Sequence, residues 1–562
     1  MTRLRSQVLL LLALGGCGTA PVAPRPQDSP PATAAVRDGL GDDLDEQPSN
    51  AAVFANWDPF VDPDGDPVVY EWSIGTRPGA TDVLEWSQVG GATHTSSGAN
   101  TEVPLGVAVF VNVRATDLGG HRSAVSTSDG IVCGVTPHFT RTAPPAGAPG
   151  GAMERLAAIG QHGITWTFDR PMPCGRFANG DWWVVGPVAI VEIDPASVLD
   201  GARVRHGSMV NPDPRNPGQG YDNSVLTDGQ SGRYDPALNV AFGISRSKPL
   251  TLAPGTSLVS TISRPLAGEL PQIETCAILT CLAEQPPPHA FRPPYCGTDK
   301  SCRRTTDQLD LARLGRLAPT ATAPGLADLA ERFARPWLDH IGGSGGRYVH
   351  PRANMPDYGR DLADLVGQAA VALQLDVDEA TKRPLAENFV QLGIDVYGIV
   401  QAGGRFLADG GSGSGRKFPM LFAGAVLVDS DLLACARDQH AAFAEDVQTF
   451  HVAETSSGIW NRGCGGYGPE DSGLPEWGHR HADDPRYDNK SWTGDPYRRC
   501  CTANVWLGYV LAARIMGLRQ AWNHDPLFDY VDRYVQVERV GDWRRSWNPW
   551  VEQMWDRYRA EL

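Results

Sequence analysis

Residues 378–400, DEATKRPLAENFVQLGIDVYGIV, place apolar side chains three and four positions apart behind an opening aspartate, the period of an amphipathic helix. The same period recurs over 325–340, 361–375, 418–436, 502–516 and 525–535, with Asp or Thr at several starts and Gly after several ends. The spacing therefore predicts an all-α domain over 291–562. Its helices are joined by long loops at 340–360, 403–417 and 456–501. Loops of that length in a compact domain are functional more often than not.

Upstream the period shortens. Apolar runs at 51–57, 68–74, 83–89, 107–115 and 124–132, separated by turn residues, predict a small β-sandwich over 49–137. A second all-β domain, read as another sandwich, is expected over 161–290. It rests on the alternation at 164–168, the β-branched run 182–193 and shorter runs at 237–244 and 257–262. Residues 18–48, with many Pro, Ala and Asp, read as a disordered tether, and 138–160, containing APPAGAPGG at 143–151, as a linker. Asp62, Asp64 and Asp66 offer oxygen ligands to a structural calcium ion, but a tight Gly-containing turn accounts for them and is the preferred reading. The turn 177–181 beside Trp182 and Trp183 can face a sugar, although burial of both rings is the simpler reading.

At the N-terminus, Arg3 and Arg5 precede an apolar run from Val8 to Leu14, too short to span a bilayer. The ending Leu14-Gly15-Gly16-Cys17 resembles the lipobox of bacterial lipoproteins. That resemblance makes 1–17 the signal peptide, Cys17 the lipidated residue, and the protein lipid-anchored in the cell envelope. Gly18 in place of Asp lacks the inner-membrane retention mark, which favours the outer membrane, facing the periplasm or the cell surface. The lipid is the membrane attachment expected. Export makes the other ten cysteines disulfide candidates. Cys276 with Cys281, Cys296 with Cys302, and the adjacent Cys500 and Cys501 are near enough for local bridges, with connectivity left open. A zinc site at Cys500 and Cys501 is disfavoured because the tandem lacks a C-x-x-C pair.

The formal net charge of −16 excludes attraction of the whole surface to nucleic acid. An anionic ligand then needs a local basic site. Arginine supplies 44 of the 49 basic residues, which compositional bias explains and which bidentate recognition of carboxylate would also use. Such groups gather in the helical domain's loops. His350, Arg352, Asn354, Asp357, Tyr358 and Arg360 fall within eleven residues, and Arg416 and Lys417 close a Gly/Ser turn. Glu445 and Asp446 precede His451, and Glu476, Trp477, His479, Arg480, His481, Trp492, Tyr497 and Arg498 follow.

The module at 49–137, with Trp57-Asp58-Pro59-Phe60, Tyr70–Thr76 and Ser128-Asp129-Gly130, resembles fibronectin type III and related Ig-like modules. The C-terminal part, with its aromatic and basic loops and the tail Trp522-Asn523-His524-Asp525-Pro526-Leu527-Phe528-Asp529-Tyr530, resembles (α/α)-toroid polysaccharide-degrading enzymes of the alginate and glycosaminoglycan lyase type. The helices are too few for a complete toroid, so the resemblance implies an incomplete one, and with it a polysaccharide partner and no cofactor. β-Elimination on a uronate needs a group to neutralise the carboxylate, a base for the acidic C5 proton and an acid for the leaving oxygen. Asn354, Arg480 or Arg498, His479 or His481, and Tyr358 or Tyr497 fill these roles as expected catalytic groups. His350, Arg352, Arg360, Arg416, Lys417, Glu445, Asp446, Trp477, Trp492 and Arg498 are expected to bind substrate. A glycoside hydrolase using two of Glu445, Asp446, Glu476 and Asp357 is the competing enzyme. A non-catalytic glycan-binding lipoprotein is the competing binder. The sequence holds no G-x-S-x-G elbow, H-E-x-x-H helix or P-loop, and no metal site is expected.

Overall fold

A computed structural model describes residues 29–39, 43–47, 53–97, 101, 103–104, 106–133, 153–226, 231–268, 270–320, 322–343, 345–354, 359–408, 411–454, 466–479, 481, 490–493 and 497–562. Cys17 with the signal segment, the 143–151 linker, Asp357, Tyr358 and Arg480 lie outside the described residues. The chain forms two compact units, residues 1–140 and 141–562.

In the first unit the strands are β1 (Val36–Asp38), β2 (Glu46–Gln47), β3 (Phe54–Trp57), β4 (Val69–Gly75), β5 (Leu84–Gly90), β6 (His94–Ser96), β7 (Ala108–Thr116), β8 (Ser126–Thr127) and β9 (Ile131–Cys133). They make two sheets among the described residues, ordered β1-β3-β6 and β2-β9-β7-β4-β5, with β8 on β7. Ala55 and Trp57 of one sheet bury against Trp72, Ile74, Val111 and Val113 of the other, so this unit is a β-sandwich. The expected tether at 18–48 is corrected here: β1 and β2 lie inside it. A short strand is fixed by ladder hydrogen bonds and two buried side chains, Val36 and Asp38, which a composition rich in Pro and Asp conceals. The turn at Asp62 is built as preferred, because its Oδ1 accepts from the Asp64 and Asp66 amides at 2.9 and 3.2 Å. Asp64 accepts from the Ser29 amide instead of turning toward a shared ion.

The second unit opens with β10 (Glu154–Gln161), β11 (Ile164–Arg176), β12 (Trp182–Val185), β13 (Val188–Asp194), β14 (Val198–Asp200), β15 (Arg203–Arg205), β16 (Ser208–Val210), β17 (Gly218–Gln219), β18 (Arg233–Tyr234), β19 (Leu250–Leu252), β20 (Thr256–Ser263) and β21 (Ile273–Leu282). The expected second sandwich is instead dominated by one eight-stranded sheet, β16-β20-β21-β12-β11-β13-β19 with β10 on β11. β10 also begins within the expected linker. Alternation explains the arrangement. Leu258, Ala277, Leu279 and Cys281 face the sheet's own core, while Val259, Cys276 and Ile278 face the helices. Gly186-Pro187 divides the long run 182–193 into two strands, and 237–244 holds a 3₁₀ turn at Pro236–Leu238 in place of a strand.

The helices are α1 (Leu326–Ala334), α2 (Gly346–Val349), α3 (Gly359–Ala372), α4 (Glu379–Gln401), α5 (Lys417–Val426), α6 (Ser430–Asp438), α7 (Ala444–Gln448), α8 (Leu507–Ile515), α9 (Arg519–Trp522), α10 (Asp525–Val537) and α11 (Pro549–Tyr558). A short ladder, β22 (Thr449–His451) with β23 (Pro475–Trp477), interrupts them. α4 is capped by Asp378, whose carboxylate accepts from the Thr381 amide. The expected helix 418–436 breaks into α5 and α6 at Val428 (φ 54°), where Asp429 caps α6. Helices and sheet share one core, with Ile278 and Val259 in the same cluster as Trp337 and Phe389. The fully buried Arg292 ties them polarly: it donates to Asp181 at 2.6 Å beside the sheet and to Asp395 of α4 at 2.9 Å.

Candidate active site

The loop between α1 and α2 and the turn before α5 meet around a narrow cleft of about 20 Å³, room for about one water, lined by Asp339, Arg347, His350, Gly359, Ser412 and Arg416, among others. Two glycines allow the approach. A side chain at Gly359 would meet the Ser412 backbone at 2.5 Å, and one at Gly413 the Leu407 carbonyl at 2.4 Å. Arg416 grips both oxygens of Asp339, Nε to Oδ2 at 3.1 Å and Nη2 to Oδ1 at 3.0 Å. Burial alone would raise this carboxyl. The Arg416 and His350 charges outweigh it and hold Asp339 below the usual carboxylate range.

His350 Nε2 lies 3.5 Å from Asp339 Oδ1, longer than a good hydrogen bond. The residue is 1% exposed, and among the described residues neither ring nitrogen makes a hydrogen bond; the ring lies within ion-pair reach of Asp339 and edge-on to Trp337 at 5.4 Å. Its neighbour His340 points elsewhere, between the hydroxyls of Tyr221 and Tyr295, and burial holds it neutral with its pKa lowered to about 3.

Beside Arg416, the expected substrate-binding Lys417, Glu445 and Asp446 form a buried polar cluster and do not line the cleft. Lys417 Nζ bonds to Asp446 and donates to the Trp522 carbonyl at 2.8 Å. Asp446 also accepts from Trp522 Nε1 at 2.8 Å and lies 3.2 Å from His440 Nδ1. These contacts outweigh burial and keep Asp446 ionised below its ordinary range. Both oxygens of Glu445 are buried without a partner, and burial, aided by the Asp446 charge, pushes its carboxyl to about 7. The Tyr509 hydroxyl, whose titration Glu445 influences, is also orphaned.

The third group is an aromatic box. Arg498 donates to Glu476 at 2.7 Å and lies over the rings of Trp492 and Trp477 at 4.7 and 5.4 Å. Trp492 donates to Glu538. These expected substrate-binding groups are thus engaged with one another. Asn354, expected to be catalytic, is buried and donates to the Pro336 carbonyl at 3.0 Å. Arg352 lies 3.6 Å from Glu274, and Arg360 donates to the Cys500 carbonyl while its guanidinium covers Trp547 at 3.6 Å. His479 and Tyr497 meet edge to face at 4.5 Å, and His481 stacks on Phe450 at 4.0 Å.

The segments 339–350, 412–417, 445–451 and 475–479 are contiguous, taken in that order as first to fourth. Asp339–Arg416 joins the first to the second, and Lys417–Asp446 joins the second to the third. The β22–β23 ladder and Gln448 donating to the His479 carbonyl join the third to the fourth. Cys500 and Cys501 are disulfide-bonded and close the circuit, with a Cβ at Gly411 meeting the Cys501 carbonyl at 2.0 Å. The other expected bridges are corrected: Cys276, Cys281, Cys296 and Cys302 are free. Cys276 and Cys281 sit five positions apart on one strand, facing opposite cores. Sequence reasoning missed Asp339 and Arg347 because neither lies inside the quoted motif; Asp339-His340 at a loop start was the available signal.

No known family matches the chain, and no curated protein does. Among solved structures, it is similar to the PKD domain of an M14-like peptidase from a Thermoplasmatales archaeon, at 18% identity over 19% of this chain and 98% of that one, TM-score 0.14. It is also similar to the FN1-FN3 domains of chicken CNTN1, at 13% identity over 45% and 67%, TM-score 0.15. A fragment of titin shows 17% identity over 19% and 32%, TM-score 0.13. At these scores the likenesses carry no argument, and the sandwich stands on its own sheets. Among the described residues no helix is long and apolar enough to cross a membrane.

Proposed function

We propose that this protein is an envelope-anchored carbohydrate-active enzyme that cleaves a uronate-containing polysaccharide by β-elimination, on an incomplete (α/α) toroid. The supporting observation is His350, a buried imidazole lining the cleft without a hydrogen bond among the described residues, 3.5 Å from a carboxylate fixed by Arg416. Asp339 lies 3.5 Å from the ring nitrogen that takes the proton, and Arg347 lines the same cleft. His350 removes the C5 proton, the C5–H electrons form the C4–C5 double bond, and the C4–O bond breaks. The proton passes to the leaving oxygen.

The hydrolase reading loses support because Asp446 is locked by Lys417 and Trp522, and Glu476 by Arg498 and Arg533. As a binder the protein retains exposed Trp543 and Trp547, while Trp477, Trp506 and Trp522 are buried.

The test is incubation of the purified protein with alginate, chondroitin, heparan, ulvan and pectate, following the ultraviolet absorbance of the unsaturated uronate alongside reducing ends. His350→Ala is expected to lower kcat by about a hundredfold or more, the scale of losing a general base. Reducing ends without the absorbance would move the reading to hydrolysis. Neither signal would favour the glycan binder.

A further inference from the structure

On the sheet side of this unit, away from the cleft's lining, lies a groove of about 500 Å³, within the range of small-ligand sites. Its walls are the loop after β16, the loop 294–304 and the C-terminal end of α4, and they include Asp213, Arg215, Thr298, Arg303, Arg304 and Tyr397.

The three arginines differ. Arg215 and Arg303 are well exposed and turned onto acids of their own loops, with Arg215 gripping Asp213 by Nε and Nη2 and Arg303 donating to Asp299. Arg304 is nine-tenths buried, its side chain 10% exposed. Its Nε donates at 2.7 Å to Asp429, which is itself held by the Asp431 and Leu432 amides at the start of α6. The guanidinium lies 5.2 Å from the centre of the Tyr397 ring. This anchoring uses Nε, and among the described residues the two terminal amino groups make no hydrogen bond. A guanidinium fixed from behind and underneath, with its outer edge free, has already lost the rotamer freedom that binding would otherwise cost. That edge matches two coplanar oxygens.

We propose that this groove is a second ligand site, in which the outer edge of Arg304 takes the carboxylate of an acidic saccharide bidentately and Thr298 borders the rest of the sugar. The choice of saccharide rests on the reading of the cleft; the choice of a carboxylate rests on Arg304.

Titration calorimetry of the full chain with trigalacturonate, glucuronate, glucose, inorganic sulfate and inorganic phosphate separates the outcomes. Saturable binding of at least one uronate is expected, with none of glucose. Arg304→Gln should weaken it by about tenfold, equivalent to about 1.4 kcal/mol. Arg303→Gln should leave it within about twofold. Thr298→Trp, which fills the groove without touching the Arg304–Asp429 pair, should remove the Arg304-dependent binding even if Arg304→Gln misfolds, leaving only binding in the cleft. No uronate binding, uronate binding that Thr298→Trp and a folded Arg304→Gln both leave unweakened, or binding of sulfate or phosphate alone would overturn the proposal. Uronate binding that depends on Arg304, without lyase activity, would remove only the reading of the cleft.

Discussion

Two orphaned groups mark the helical loops at the residue scale, the His350 imidazole and the Glu445 carboxyl. Glu445 carries a stability prediction with a definite sign. Its folded pKa of about 7 stands above the ~4.3 of an unfolded glutamate, so between these values the folded state binds more protons. The favourable contribution is present in full below the unfolded value and is lost as pH rises through 7. Glu445→Gln removes this dependence. Denaturant unfolding should show the variant more stable than wild type at pH 8, by a margin bounded at about 4 kcal/mol from the shift, with the gap narrowing toward pH 5. An equal gap at both pH values would mean that Glu445 is ionised in the fold. Lys417→Met acts oppositely, leaving Asp446 buried without its ammonium, and should cost about 3–5 kcal/mol.

Elements with complete local signals were legible, and those set by tertiary contact were not. Asp378 announces α4, and the 3.6-residue period carries it to Gln401. Asn548 and Pro549 announce α11 equally well, and Trp550, Val551, Met554, Trp555 and Tyr558 keep the helical period, so α11 was legible too although the expected helices end at 535. The break at Val428 is announced locally only by the Asp429 cap, because a β-branched residue rarely takes positive φ. Within the site, the gathering of loops was legible as residue types, whereas their pairing was not. Arg416, Lys417 and Arg498 look like surface cations in sequence, and the fold buries each against a carboxylate far along the chain. The loop junction gives an element-scale prediction. Gly411→Ala drives a methyl into the Cys501 carbonyl and must displace either the 411–416 turn or the Cys500–Cys501 pair. Turnover on the active polysaccharide should fall in Gly411→Ala while Gly91→Ala, where a Cβ meets nothing within 4 Å and φ is not positive, serves as the mild comparison. Unchanged turnover in a folded Gly411→Ala protein would uncouple this junction from the reaction.

At the scale of the whole molecule, the distribution of buried contacts sets what can unfold alone. The sandwich in 1–140 closes its own core with Trp57, Trp72 and Val111, whereas the sheet of 141–562 cannot, since β20 and β21 give one face to the helices. Sheet and helices should therefore melt together. Arg292 makes this testable because its partners, Asp181 and Asp395, lie on opposite sides of the sheet–helix junction. Removing the guanidinium leaves two buried carboxylates unpaired, a loss of about 3–5 kcal/mol. In calorimetry the full chain should show separate transitions for the two units, and Arg292→Met should lower only that of 141–562, without splitting it. A shortened chain starting at Arg141 should reproduce that transition and keep turnover within about twofold of the full chain, because every cleft-lining residue lies within it. If the shortened chain folds with the same transition yet loses activity, the sandwich takes part in the reaction. If Arg292→Met instead separates the sheet's melting from that of the helices, the unit is two domains joined mainly by one ion-pair network.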